Sequence, residues 1–195
     1  MSEEQFSSPQ DSLQLIESMI NKAQNRFNEN GHLYLLWGWV IFACSIVHFV
    51  LAYWKLYDQP QIVWVATWGA LIYQMIYIFR KKRKERVKTY TDEIIGYVWL
   101  VFVILMALVG FLTGKANAWA LMNPLFLVLY GVPTFLTGAI IKFPPLQVGA
   151  FSCWILAVVS AFVPFQFQVL FFAIAVLSAW IIPGYLLRSQ FNKHN

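Results

Sequence analysis

Charge is scarce in this chain. Asp, Glu, Lys and Arg make up 12% of its 195 residues, about half the share found in a soluble globular chain. That is too little to cover a water-facing surface. Apolar residues make up 59%, and the mean hydropathy is +0.60. No polar stretch exceeds about thirty residues, which excludes a soluble domain with a core of its own. Cysteine is limited to Cys44 and Cys153. Both sit inside apolar runs without CxxC or metal-ligand spacing, so neither a disulfide framework nor a zinc site follows. Each reads as a small apolar filler. The Met-Ser-Glu-Glu opening is acidic and lacks the basic start of a cleavable signal peptide.

Acid is missing where chemistry in a membrane would need it. All nine acidic residues fall outside the apolar runs. This weighs against carboxylate-based proton or sodium pumping and removes the ligands that hold Mg²⁺ for phosphoryl or glycosyl transfer. Only one histidine, His48, lies within an apolar run. There is no HExxH and no histidine pair for a b-type haem. Gly149-Ala-Phe-Ser152 lacks the second flanking glycine of a nucleophile elbow. The expectation is a chain with no catalytic residue, no metal and no cofactor.

What is present is apolar sequence in lengths that suit a bilayer. A helix needs about 20 mostly apolar residues to cross a hydrocarbon core of about 30 Å. Six runs meet or approach that length, at about 33–54, 62–79, 94–113, 120–141, 146–163 and 167–187. They do not alternate as outer-membrane strands do, and lipid leaves helices as the remaining solution. The predicted fold is all-α: a polytopic bundle of six spans over 32–188, preceded by a segment 1–31 with an amphipathic helix and followed by a tail 189–195. Tyr34, Trp37, Tyr53, Trp54, Trp64, Tyr77, Trp119, Trp180 and Tyr185 fall near span ends, where an interfacial aromatic belt is expected. Twelve basic residues lie on one side of this topology and two, Lys55 and Lys115, on the other. The positive-inside rule then places both termini in the cytoplasm.

Two features lie on that basic side. Residues 9–29 read as an amphipathic helix, with Ser8, Pro9 and Asp11 at its start. Leu13, Ile16, Ile20, Ala23 and Phe27 form one apolar stripe. The stripe needs cover from headgroups, from its own bundle or from a partner chain. Its weakly basic polar face favours protein over a membrane surface, so Leu13, Ile16, Ile20 and Phe27 are candidate partner contacts. The run Arg80, Lys81, Lys82, Arg83, Lys84, continuing to Lys88, anchors topology and suits anionic headgroups at about 1 kcal/mol per basic residue. It lacks the interleaved aromatics and the fold of a nucleic-acid site. Thr89 with Asp92 reads as a capping box opening the third span.

Inside the spans a few polar residues stand out. His48, Asn123, Ser160 and Gln168 fall at similar depth near the outer ends and form a candidate polar pocket. Gln74, Thr137 and Ser152 form a second layer nearer the cytoplasm. Each is also open to a plainer reading as interhelical hydrogen-bonding, worth about 0.6–2 kcal/mol. Pro133 lies mid-span and is expected to kink its helix, and Pro183-Gly184 to bend or end the last one. Gly110-x-x-x-Gly114 and Ala157-x-x-x-Ala161 suit close helix packing, within the chain or between chains.

The stretch SLQLIESMINKAQNRFNENGHLYLLWGWVIF, with GVPTFLTGAIIKFPPLQVGAFSCW and AWIIPGYLLR, resembles a group of small uncharacterised bacterial membrane proteins. The resemblance implies a bacterial origin, an inner-membrane location and six spans, and it carries no site residue. Two functions remain open from the residues. The first is a non-enzymatic inner-membrane protein acting by association with itself or another membrane protein. The second is a transporter or channel for a small neutral solute.

Overall fold

The computed structural model describes residues 31–84 and 90–194, and within them all side chains except those of 81–84, 90, 92 and 190–194. The stripe at 9–29 and Thr89 lie outside the described residues, as do the side chains of Lys81, Lys82, Arg83, Lys84 and Asp92.

The described residues are helical throughout apart from short connections, and no strand occurs among them. In chain order they form α1 (Gly31–Tyr53), a 3₁₀ segment (Pro60–Val65) leading into α2 (Ala66–Lys84), α3 (Tyr90–Lys115), α4 (Trp119–Ile140) and α5 (Pro144–Ala161). After these come α6 (Phe165–Val176), a π-helical turn (Leu177–Ile181) and α7 (Ile182–His194). Six stretches among the described residues are long and apolar enough to cross a membrane: Gly31–Tyr53, Pro60–Arg80, Glu93–Lys115, Trp119–Ile140, Pro144–Ala161 and Phe165–Ser189. The chain is thus an all-α, multi-pass membrane protein, with these stretches as spans one to six.

Three connections among the described residues are short because the helix before each is closed locally. Lys55, Asn117 and Lys142 adopt left-handed backbone angles, with φ of 50°, 53° and 55°. The residue after each donates its N–H to a carbonyl five positions back: Leu56 to Leu51, Ala118 to Thr113 and Phe143 to Gly138, at 3.1, 2.8 and 2.8 Å. These are Schellman closures, which give last-turn carbonyls a donor without water. Proline opens the following elements where no N–H is needed, at Pro60 and Pro144.

Pro183 does not end the sixth span, contrary to one of the two outcomes its sequence allowed. It has no N–H for the Ala179 carbonyl. The turn before it widens, so that the Ile182 N–H bonds the Leu177 carbonyl five residues back. One π turn thus carries the helix past the proline to His194.

The core is built by spans one, four, five and six. Spans four and five pack along their length, and span six lies against span one. Leu127, Leu146 and Ala175 are fully buried among them. An aromatic layer crosses this core. Tyr130 stacks on Trp180 with ring centres 4.9 Å apart, and Trp99, Phe102 and Phe172 meet that pair edge-on. Trp180 and Tyr34 are therefore buried core residues, which corrects their placement in the interfacial belt. The indole N–H of Trp180 has a partner inside, donating to Thr134 Oγ1 at 3.0 Å, so it needs no headgroup region to satisfy it.

Spans two and three stand outside this core. Only 6% of each is buried, against 28–56% of the other four. Span two leans on span one, and span three leans on span four. The Gly110-x-x-x-Gly114 pair serves the second of these contacts within the chain: Gly110 faces Phe126 and Gly114 faces Trp119.

Among the glycines, the closest approach to another element's backbone is at Gly149. A Cβ there would lie 2.5 Å from Ala179 Cα and 2.8 Å from the Ser178 carbonyl oxygen. Both are backbone atoms of the π turn and neither has a rotamer to yield. One turn further, Ser152 Oγ and Ser178 Oγ hydrogen-bond at 2.6 Å. Gly149→Ala is expected to destabilise the fold by about 1–3 kcal/mol, the usual range for overpacking. Gly96→Ala, with nothing within 4 Å of its Cβ position, is expected to be near neutral. Denaturant unfolding in detergent micelles, comparing the two variants, checks the difference.

Candidate functional site

The polar residues of the spans can be followed from the backbone outward. Pro124 sits in the second turn of α4 and has no N–H, so the Ala120 carbonyl one turn back has no helical donor. Gln168, in the first turn of α6, supplies one. Its Nε2 donates to the Ala120 carbonyl at 3.1 Å and to the Val163 carbonyl, in the connection from α5, at 3.1 Å. Its Oε1 accepts from Asn123 Nδ2 at 3.3 Å. Gln168 is 2% exposed and Asn123 8%. Both amide hydrogens of Gln168 and one acceptor site of its oxygen are thus occupied within the protein. The arrangement clamps the start of span four to the turn between spans five and six.

The four residues predicted to share a pocket separate into three environments. Asn123 and Gln168 meet in the clamp. Ser160 is fully buried, and its hydroxyl donates to the Ala157 carbonyl of its own helix at 2.9 Å. His48 lies on span one, where its Nδ1 accepts the Trp64 indole N–H at 2.8 Å. Trp64 belongs to the 3₁₀ entry of span two, a partner that the spacing of the sequence did not reveal. A histidine and a tryptophan bracketing a short connection were its only trace.

The inner layer behaves similarly. Gln74 Oε1 accepts the Trp37 indole N–H at 2.5 Å, and Ser152 bonds Ser178 across the α5–π-turn contact. Thr137 is less well served. Its hydroxyl and that of Tyr34 are buried side by side near Trp99, with no well-formed hydrogen bond to either among the described residues. Cys44 and Cys153 are both free and buried; Cys44 Sγ donates weakly to the Val63 carbonyl at 3.5 Å.

Pro133 is fully buried in α4, which continues through it from Trp119 to Ile140. It leaves the Leu129 carbonyl without its helical donor. Leu129, Pro133 and Leu136 line one wall of a groove of about 330 Å³, and Val98, Val101 and Phe102 of span three line the other. At its end the Tyr97 hydroxyl donates to the Glu93 carboxylate at 2.8 Å. The lining is otherwise hydrocarbon and suits hydrocarbon. Of the basic run, Arg80 is exposed. Among the described residues no three His, Cys, Asp or Glu side chains gather closely enough to hold a metal ion.

No protein-family model, curated protein or solved structure matches this chain.

The clamp gives a sharp prediction. Gln168→Leu removes the side-chain donor of the Ala120 carbonyl and leaves the buried Asn123 amide without its partner, and is expected to destabilise the fold by about 1–2 kcal/mol. Pro124→Ala restores an N–H to the Ala120 carbonyl. In that background Gln168→Leu is expected to cost measurably less. A double-mutant cycle by unfolding in micelles measures the coupling; additive effects would show that Gln168 does not serve the proline-freed carbonyl.

Proposed function

We propose that this chain is a non-enzymatic multi-pass protein of a bacterial inner membrane that works by associating with itself or with another membrane protein. The observation that carries the reading is the exposure of spans two and three along nearly their whole length. Each is also open at a glycine: nothing lies within 4 Å of the Cβ position of Gly69 on span two or of Gly96 on span three. Small residues on a lipid-exposed helix allow a second helix to approach closely enough for packing and weak hydrogen bonds to act. The polar side chains of the core are largely satisfied within the fold, which supports a scaffold role over chemistry. The charge pattern places both termini in the cytoplasm, with Arg80, Lys81, Lys82, Arg83 and Lys84 against anionic headgroups. Leu13, Ile16, Ile20 and Phe27 add a second apolar contact surface on that side.

The mass of the full chain in lipid nanodiscs tests the reading. The expected result is a stoichiometric complex, of copies of this chain or with one other membrane protein. The complex should be lost when Gly69→Leu and Gly96→Leu are combined, with the unfolding stability of the chain unchanged. A monomer without a partner, or a complex indifferent to both substitutions, would overturn it.

One observation favours a second reading, passage of a small neutral solute. It is the buried, adjacent pair of hydroxyls of Tyr34 on span one and Thr137 on the proline-interrupted span four, with no well-formed hydrogen bond to either among the described residues. On that reading Tyr34→Phe and Thr137→Val change solute flux into liposomes without altering the mass of the particle.

A further inference from the structure

Spans one and two are joined by a ladder of side-chain hydrogen bonds. Towards the inner end His32 Nε2 and the Tyr73 hydroxyl lie 3.1 Å apart, and Trp37 donates to the adjacent Gln74. At the outer end Trp64 donates to His48 Nδ1. An indole N–H only donates. Nδ1 of His48 therefore carries the lone pair, and the proton of the neutral ring sits on Nε2. Once Nδ1 is protonated, two N–H groups face each other and the rung is lost.

Among the described residues the one hydrogen bond recorded for His48 is that from Trp64. The two rings meet edge-on, with centres 6.3 Å apart and planes at 65°, so the cation does not sit over the indole face. The 3₁₀ segment Pro60–Val65 and helix α6, which pack against this part of span one, contain no ionisable residue. Span one itself offers Cys44 one turn inward and Tyr53 near its end, and α2 offers Tyr73 and Tyr77 at the far end of the ladder. The connection to span two carries Lys55, Tyr57 and Asp58, so its one carboxylate is offset by a lysine. His48 is only half-buried and lies five residues from the end of α1, about 7 Å along the helix axis. The 3₁₀ segment also packs against span one, and its other specific contacts include the weak Cys44–Val63 bond and an edge contact of Trp64 with Phe172 at 6.1 Å.

We infer that the His48–Trp64 pair is an acid-released latch: a proton taken up by His48 from the side of the membrane that bears the 54–59 connection detaches the entry of span two from span one. Calling that side the outside rests on the orientation proposed above; the latch itself does not. Its consequence falls on span two, one of the two faces proposed for association.

The test uses the full chain in lipid nanodiscs with its nine tryptophans replaced by 5-fluorotryptophan and read by ¹⁹F NMR from about pH 8 to about pH 4.5, the range in which histidine titrates. The Trp64 resonance is the one absent from Trp64→Phe. It is expected to move through a single transition in the unaltered protein while that of Trp37, bonded to an amide, stays still. In His48→Gln, whose side-chain oxygen accepts the indole N–H at every pH, the transition is expected to vanish. If Trp64→Phe fails to fold, the resonance that titrates in the unaltered protein and is silent in His48→Gln identifies Trp64. A Trp64 resonance that never moves, or that moves equally in His48→Gln, would overturn the latch. Acidifying one face at a time in sealed, oriented liposomes then tests the route of the proton. A response from the face that bears the 54–59 connection is expected, and a response from the terminus-bearing face alone would overturn that route.

Discussion

The structure depends on one constraint: inside a bilayer a backbone carbonyl that loses its helical donor has no water to turn to. The prolines of this chain create such carbonyls, and the packing around them can be read as the response. At Pro124 the freed Ala120 carbonyl takes a side-chain donor, Gln168, from another span. At Pro183 the helix relaxes by one π turn. At Pro60 and Pro144 the proline occupies a position where no N–H is required. The Schellman closures at Lys55, Asn117 and Lys142 apply the same constraint to helix ends, and they keep the connections short.

These local solutions become tertiary ones because the donors come from other spans. Gln168 cannot serve Ala120 unless span six begins beside span four. The π turn at 177–181 brings its backbone against Gly149, where only a glycine admits it, and it stands next to Trp180, whose stack on Tyr130 centres the aromatic layer. Prolines, glycine and buried amides thus specify one arrangement of spans one, four, five and six. Spans two and three are held differently, span two by side-chain hydrogen bonds to span one, and span three by a glycine contact with span four and by Trp99 and Phe102 reaching into the aromatic layer. They are the elements most readily repositioned, by a partner or by loss of a rung.

Much of this was legible in the residues. The six apolar runs coincide with the six helices to within a few residues, because length and hydropathy alone decide whether a segment can cross hydrocarbon. The special character of His48, Asn123, Ser160 and Gln168 was also legible, because polar groups in such runs need partners. Their grouping was not. The spans are apolar on nearly every side, so helical periodicity carries little information about which face turns inward. The depth shared by the four residues therefore said nothing about their direction. Trp180 illustrates the same gap: its distance from the span end suited a headgroup belt, while its N–H found Thr134 in the core.

By itself the sequence determined that this is an all-helical membrane protein with six spans. It also located the positions at which backbone or side-chain polarity would need an answer, since these follow from residue type and run length. Only the tertiary structure decided which group gives each answer: Gln168 to Pro124, Trp64 to His48, a π turn to Pro183, and no well-formed hydrogen bond among the described residues to Tyr34 and Thr137. It alone decided that spans two and three lie outside the core. The physical reason is that lipid solvates an apolar helix face as well as protein does, so hydropathy selects what enters the membrane. Shape and hydrogen bonding then select what meets there.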